Sequence, residues 1–131
     1  MADKTTQASD RDVEAMLPLT PLSFQILLAL VDSERHGYGI MKEIERRTKG
    51  GMTTATGPLY LAAQRLLEAG LIAESDKRPA PELDDQRRRY YKLTPFGKRV
   101  AAAEVKRMAH LVDVAFEKDL VSGRIKISGG G

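Results

Sequence analysis

Two clusters of residues in this 131-residue chain have the types and spacing to do chemistry with an anion. The first lies in MTTATGPLYLAAQRLLEAGL and comprises Thr53, Thr54, Thr56, Tyr60, Gln64 and Arg65. Hydroxyls can meet phosphate oxygens, while an amide beside a guanidinium can pair with the edges of bases. The second is QRRRYYKL, where Arg87, Arg88 and Arg89 run straight into two tyrosines. Three adjacent like charges repel one another in water. Either an anionic partner lies opposite them, or arginines keep the edge of a strand soluble.

Catalytic chemistry finds no comparable support. Ser23 has no nearby His and Asp arrangement, and no pair of carboxylates sits in a recognisable acid–base setting. GGMTTATG is glycine-rich but lacks the Gly-Lys-Ser/Thr ending of a phosphate loop and reads as a turn. With no cysteine and two histidines, His36 and His110, the chain has no thiolate metal site and too few imidazoles for a typical zinc site. The expectation is a non-enzyme without cofactor or metal.

Composition points the same way. The net charge is only +3, but residues 35–99 hold 14 basic against 8 acidic side chains, so the middle of the chain is the basic part. That asymmetry suits an anionic partner, double-stranded DNA above all. No apolar run approaches the ~18 residues of a membrane span, and MADKTTQASDRD lacks the apolar core of a signal peptide. A soluble, cytoplasmic protein with no membrane partner is expected.

Positioning the two clusters requires a scaffold, and its order is legible. Residues 1–17 read as a flexible lead-in with a short helical stretch around Arg11 to Leu17. In PLTPLSFQILLALVDS, Thr20 is a helix N-cap with Pro21 at the first position, and the apolar series from Phe24 to Val31 predicts a buried helix. HGYGIMKEIERRTKGG predicts an amphipathic second helix, with Tyr38, Met41, Ile44 and Ile40 inward and Gly50-Gly51 as the stop. A third begins near Thr54 to Thr56 and ends at Gly70, with Leu59, Ala62, Ala63, Leu66 and Leu67 inward and Tyr60, Gln64 and Arg65 outward. LIAES and RRYYKL then form a hairpin around the polar loop DKRPAPELDDQ. Its second arm, taken as an edge strand, places Tyr91 with Arg89 on one face and Tyr90 with Arg88 on the other. Three helices followed by a hairpin, over residues 18–93, is the order of a winged helix-turn-helix. The fold class is mainly α with a small β-hairpin.

Thr94 caps a last helix that runs to about Leu120, followed by a flexible tail over 121–131. Its roughly 35 Å exceed what so small a domain covers alone. Val105, Met108, Leu111, Val112 and Ala115 are the seam candidates, so a second copy of the chain is the expected cover.

The stretches HGYGIMKEIERRT, GPLYLAAQRLLEAGLI and RRRYYKLTPFGKR, in that order, resemble the PadR family of transcriptional regulators. The resemblance spans residues 18–120, and its most specific parts are Gly37-Tyr38-Gly39, Leu59-Tyr60, Arg65-Leu66, Gly70-Leu71-Ile72, and Tyr91-Lys92-Leu93-Thr94 with Gly97. It implies a winged-helix homodimer joined through the C-terminal helix, usually a repressor and often released by a small-molecule effector. Tyr60 and Arg65 would then belong to the DNA-reading helix and Arg87 to Arg89 to the wing. Pro58, Ala63 and Gln64 depart from the family's usual hydroxyl, bulky apolar and lysine residues, and the long wing loop carries Glu82, Asp84 and Asp85, which would repel DNA. The competing reading is a winged helix used only for protein contacts, with Tyr60 and Leu61 together on an exposed apolar patch.

Overall fold

The computed structural model describes residues 8–76 and 89–122. Its elements run α1 Asp10–Glu14, α2 Pro21–Ala29, β1 Arg35–His36, α3 Gly37–Arg47, α4 Thr56–Glu68, β2 Ile72–Glu74, β3 Tyr90–Leu93 and α5 Pro95–Glu117.

Local chemistry sets two of the helix starts. Thr20 and Thr94 hold extended backbone and accept hydrogen bonds from the Ser23 and Gly97 N–H groups at 3.1 and 2.9 Å. A proline follows each in the first turn, where its missing N–H costs no intrahelical bond. α2 is apolar on nearly every side because α3, α4 and α5 all pack against it, and its Ile26 and Leu27 are fully buried. Ile40 and Ile44 of α3, Leu59, Ala63 and Leu66 of α4, and Phe96, Val100 and Ala101 of α5 complete this core.

The expected hairpin is present, β2 pairing antiparallel with β3, and a third strand joins it. The strand order is β1-β3-β2, antiparallel throughout, with Arg35 opposite Tyr91 and His36 opposite Tyr90. β3 is therefore central and not an edge strand. Two residues cannot display a period of two, which is why β1 leaves no pattern in the sequence. Pairing on both sides turns Tyr91 into the core, while the Tyr90 ring meets the His36 ring edge-on at 5.2 Å.

Tyr38 also departs from expectation. It is 53% exposed, with the Lys42 ammonium 5.3 Å from its ring centre, and Ile40 and Ile44 form the inward stripe of α3.

The described part of the lead-in, from Ala8 onward, docks on the domain and holds a short helix within the expected stretch. Ser9 and Asp12 form a reciprocal capping box on α1, Val13 is buried, and α1 packs on α5. Arg99 ties it down by donating to the Ala8 carbonyl and, at 3.2 Å, to the Asp10 carboxylate.

α5 begins inside the domain, so packing is continuous across the expected boundary at Leu93 and Thr94. A Cβ at Gly97 would lie 1.9 Å from the Leu71 carbonyl oxygen, so only glycine allows this approach. One turn past Val100 stands Glu104, 2% exposed. Its carboxylate accepts from Arg107 at 2.6 and 3.1 Å and from the Leu19 N–H at 3.0 Å. The Arg107 hydrogen bond, helped by the Leu19 N–H and the Arg107 charge, holds it below the usual carboxylate range despite burial.

Candidate nucleic-acid interface

The turn between α3 and α4 is fixed by one hydroxyl. Thr48 Oγ1 donates to the Ile44 carbonyl at 2.8 Å and accepts from the Met52 N–H at 3.0 Å, stitching the end of α3 to the loop. Lys49 and Gly50 take positive φ values of 54° and 79°, and the Gly50 N–H returns to the Glu45 carbonyl at 2.9 Å. This closes the helix and turns the chain back toward α4.

α4 is two-faced. Leu59, Ala63 and Leu66 are buried, while Thr56, Gly57, Pro58, Leu61, Gln64, Arg65 and Glu68 are exposed. Its N-cap is Ala55, which supplies no side-chain acceptor, so at the positive end of the helix dipole the N–H groups of the exposed Thr56 and Gly57 have no side-chain cap, and Pro58 has no N–H to offer. Thr53 is exposed and Thr54 half-buried ahead of them. Gln64 donates to the Glu68 carboxylate at 3.3 Å, an exposed contact that a base edge could replace. Arg65 forms no ion pair among the described residues.

Tyr60 does not reach out with Gln64 and Arg65. It is half-buried, and a Cβ at Gly37 would strike its phenol oxygen at 2.3 Å, so the ring lies directly over the start of α3. Tyr60 and Leu61 consequently diverge, and the apolar patch imagined for the pair is split between inside and outside.

The charge count in sequence overstates the free positive charge. Arg46 binds Glu43 at 2.7 Å, Arg47 and Arg35 approach the same carboxylate at 3.4 and 3.9 Å, and Arg35 also donates to the Ala29 carbonyl at 2.7 Å. The Arg46 hydrogen bond, with the charges of Arg46, Arg35 and Arg47, holds Glu43 below the usual carboxylate range. Three arginines are thus spent on one acid. On the wing, Arg89 reaches Glu74 on the opposite arm at 2.9 Å. Both are about 40% exposed, so the pair contributes at most about 1 kcal/mol and phosphate can displace it. Lys92, which sequence reasoning left out of the site, is exposed on β3 between the inward-facing Tyr91 and Leu93. The strand's alternation, once its centre is known, would have found it. Arg87 and Arg88 lie outside the described residues.

A model of the family described as "Transcriptional regulator PadR-like family" matches residues 26–103, a span holding the helix-turn-helix, the sheet and the Gly97 contact. The chain belongs to the PadR-like family. It is 29% identical over 89 residues to a Lysinibacillus sphaericus protein, "Uncharacterized protein X", across 68% of this chain and 79% of that one. Among solved structures it resembles a transcriptional regulator from Clostridium thermocellum, at 23% identity over 83% of this chain and 95% of that chain with a TM-score of 0.61. A PadR family regulator from Clostridium difficile matches at 23% identity over 75% and 97%, with a TM-score of 0.62. RosR of H. salinarum matches at 23% over 81% and 99%, with a TM-score of 0.57. At such identities the likeness bears on the fold, a winged helix with a long C-terminal helix. The PadR-like family is one of transcription regulators and not of enzymes. Among the described residues, no helix is long and apolar enough to cross a membrane.

The second half of α5 lies beyond the matched span of this PadR-like chain. There Val105 and Leu111 are 45% and 52% exposed, and Met108, Val112 and Ala115 are half-buried. Leu111 is the most exposed of the seam candidates.

Proposed function

We propose that the chain is a homodimeric, sequence-specific DNA-binding repressor in the cytoplasm, released from its operator by a small molecule. The observation that carries this reading is the two-faced α4. Core packing grips one side of it, while the other offers Thr56, Gln64, Arg65 and an uncapped N-terminus to solvent. In this reading α4 enters the major groove, and Thr53, Thr54 and Thr56 meet the phosphates at its mouth. Gln64 and Arg65 read base edges. Tyr60 acts by setting the angle of α4 over α3. Arg87, Arg88, Arg89 and Lys92 serve the flanking backbone from the wing. The exposed apolar stripe from Val105 to Ala115 supports the dimer, because a second copy would cover it and set two reading helices at a fixed distance. Repression and release by an effector follow from the family resemblance.

The test is a set of binding titrations on the chain's own upstream DNA and on unrelated duplex at several salt concentrations. Arg65→Ala and Gln64→Ala should each cost on the order of 1–3 kcal/mol on the cognate sequence and much less on unrelated DNA. Replacing a backbone-contacting arginine should weaken both alike and flatten the slope of log affinity against log salt by about one unit. Absence of binding at low salt, with a protein partner retained, would sink the proposal.

A further inference from the structure

We infer that Leu61 is a specificity-determining residue that meets the C5 methyl of a thymine in the major groove. The inference rests on the assignment of α4 as the reading helix. Leu61 is 54% exposed, whereas its neighbours Ala62 and Leu67 are half-buried against the core. A lone exposed leucine is ordinary. What makes this one specific is its company on the helix face.

One turn earlier on that face stand Gly57 and Pro58, and one turn later Gln64 and Arg65, all exposed. Gly57 has open space beyond it: a Cβ there would meet nothing within 4 Å. Short side chains on the N-terminal turn let the helix backbone come close to a groove floor. Gln64 and Arg65 bring the donors and acceptor that suit adenine and guanine. Between the bare turn and the polar pair, the groove floor must accommodate an isobutyl group. The thymine methyl is the apolar feature that the major groove presents, whereas the hydrogen-bonding edges of the other bases would lose water to an apolar contact without compensation. The bases read by Leu61, Gln64 and Arg65 would therefore include thymine as well as adenine and guanine.

Deoxyuridine removes this methyl and changes nothing else, so it isolates the contact. Duplexes enriched by the full-length protein from a randomised pool would supply a cognate sequence, and each thymine in it would then be replaced in turn. Wild-type affinity should fall about fourfold at one position per half-site, the worth of one buried methyl. Leu61→Ala should bind the parent duplex more weakly and lose that sensitivity to deoxyuridine, while Leu61→Met keeps it. Circular dichroism should show both variants folded, since the side chain is outside the core. Uniform indifference of the wild type to deoxyuridine, or a penalty that survives in Leu61→Ala, overturns the role of Leu61 and leaves the reading helix intact. Failure of the pool to enrich any sequence overturns both.

Discussion

Replacing Gly97 by alanine tests whether α5 is clamped to the body of the domain. The new Cβ would lie 1.9 Å from Leu71 O and 2.9 Å from both the Leu71 carbonyl carbon and Leu93 Cδ1. The leucine tip can swing aside, but the carbonyl is backbone and is held by the Thr94 N–H at 3.1 Å, with a weaker share of the Thr94 hydroxyl at 3.0 Å, whose shorter bond, 2.6 Å, goes to the Gly70 carbonyl. Relieving the clash to about 3 Å requires a shift of roughly 1 Å, which carries the Thr94 N–H bond beyond the range where it counts. One lost bond at about 1 kcal/mol, with overpacking of about 1–3 kcal/mol, outweighs at most about 1 kcal/mol of helix propensity gained. The net loss is about 1–3 kcal/mol. Urea unfolding at fixed protein concentration should show a lower midpoint with an unchanged slope. Gly57→Ala is the control, because nothing lies within 4 Å of its Cβ; it should be neutral or up to about 1 kcal/mol more stable. A Gly97→Ala midpoint at or above wild type would refute the clamp.

Other outcomes follow from the same contacts. Glu104 is held below its ordinary 4.5, so its stabilisation is present above that pH and drains away as pH falls through the folded value; melting temperatures from pH 7 to 3 should fall less steeply for Glu104→Gln than for wild type. The His36 ring caps α3 by accepting the Gly39 N–H on Nδ1 at 2.9 Å, so His36→Ala should cost about 1 kcal/mol and His36→Asn, which keeps an acceptor, clearly less in the same unfolding assay. In the proposed dimer, Met108→Glu or Val112→Glu should yield monomers or unfolded protein by placing a charge in the seam, and sedimentation showing an intact dimer for both would remove α5 from the proposed interface. Arg89→Ala should leave stability nearly unchanged, because its partner Glu74 is itself exposed, while lowering affinity for cognate and unrelated DNA equally in titrations.

What the sequence disclosed were features with local causes. Thr20 and Thr94 announce helix starts because a capping hydroxyl and a proline act within one turn. Leu59, Ala63 and Leu66 announce a buried face because helical spacing is visible over a dozen residues. Features created by distant partners stayed hidden. β1 is two residues long and exists only because Tyr90 and Tyr91 come to lie beside it. Tyr60 turned inward because Gly37, 23 positions earlier in the chain, leaves room for its ring, and no periodicity records such an arrangement. Arg35, Arg46 and Arg47 counted as a basic surface until Glu43 was seen to hold all three. Nothing in the sequence sets Glu104 apart from other charges on a long helix, since its partner at Leu19 is a backbone N–H, which every residue but proline carries. Within the candidate site, residue types marked Gln64 and Arg65 and placed Leu61 outside with Tyr60; Leu61 parted from Tyr60, and Lys92 emerged, only once the faces of α4 and β3 were known.

The ring of Tyr60 over the bare backbone of Gly37 has a consequence for how this chain can change over time. The two positions are linked. Any side chain gained at 37 meets the phenol at 2.3 Å and its ring carbons at 2.6 and 2.7 Å, so deleting the hydroxyl alone does not make room. A side chain at 37 requires either that the half-buried Tyr60 ring swing aside or that a smaller, non-aromatic residue replace it. Descendants of this chain that gain a side chain at 37 should therefore tend to change at 60 as well. A pool of random variants selected for folding should show the same linkage between the two sites.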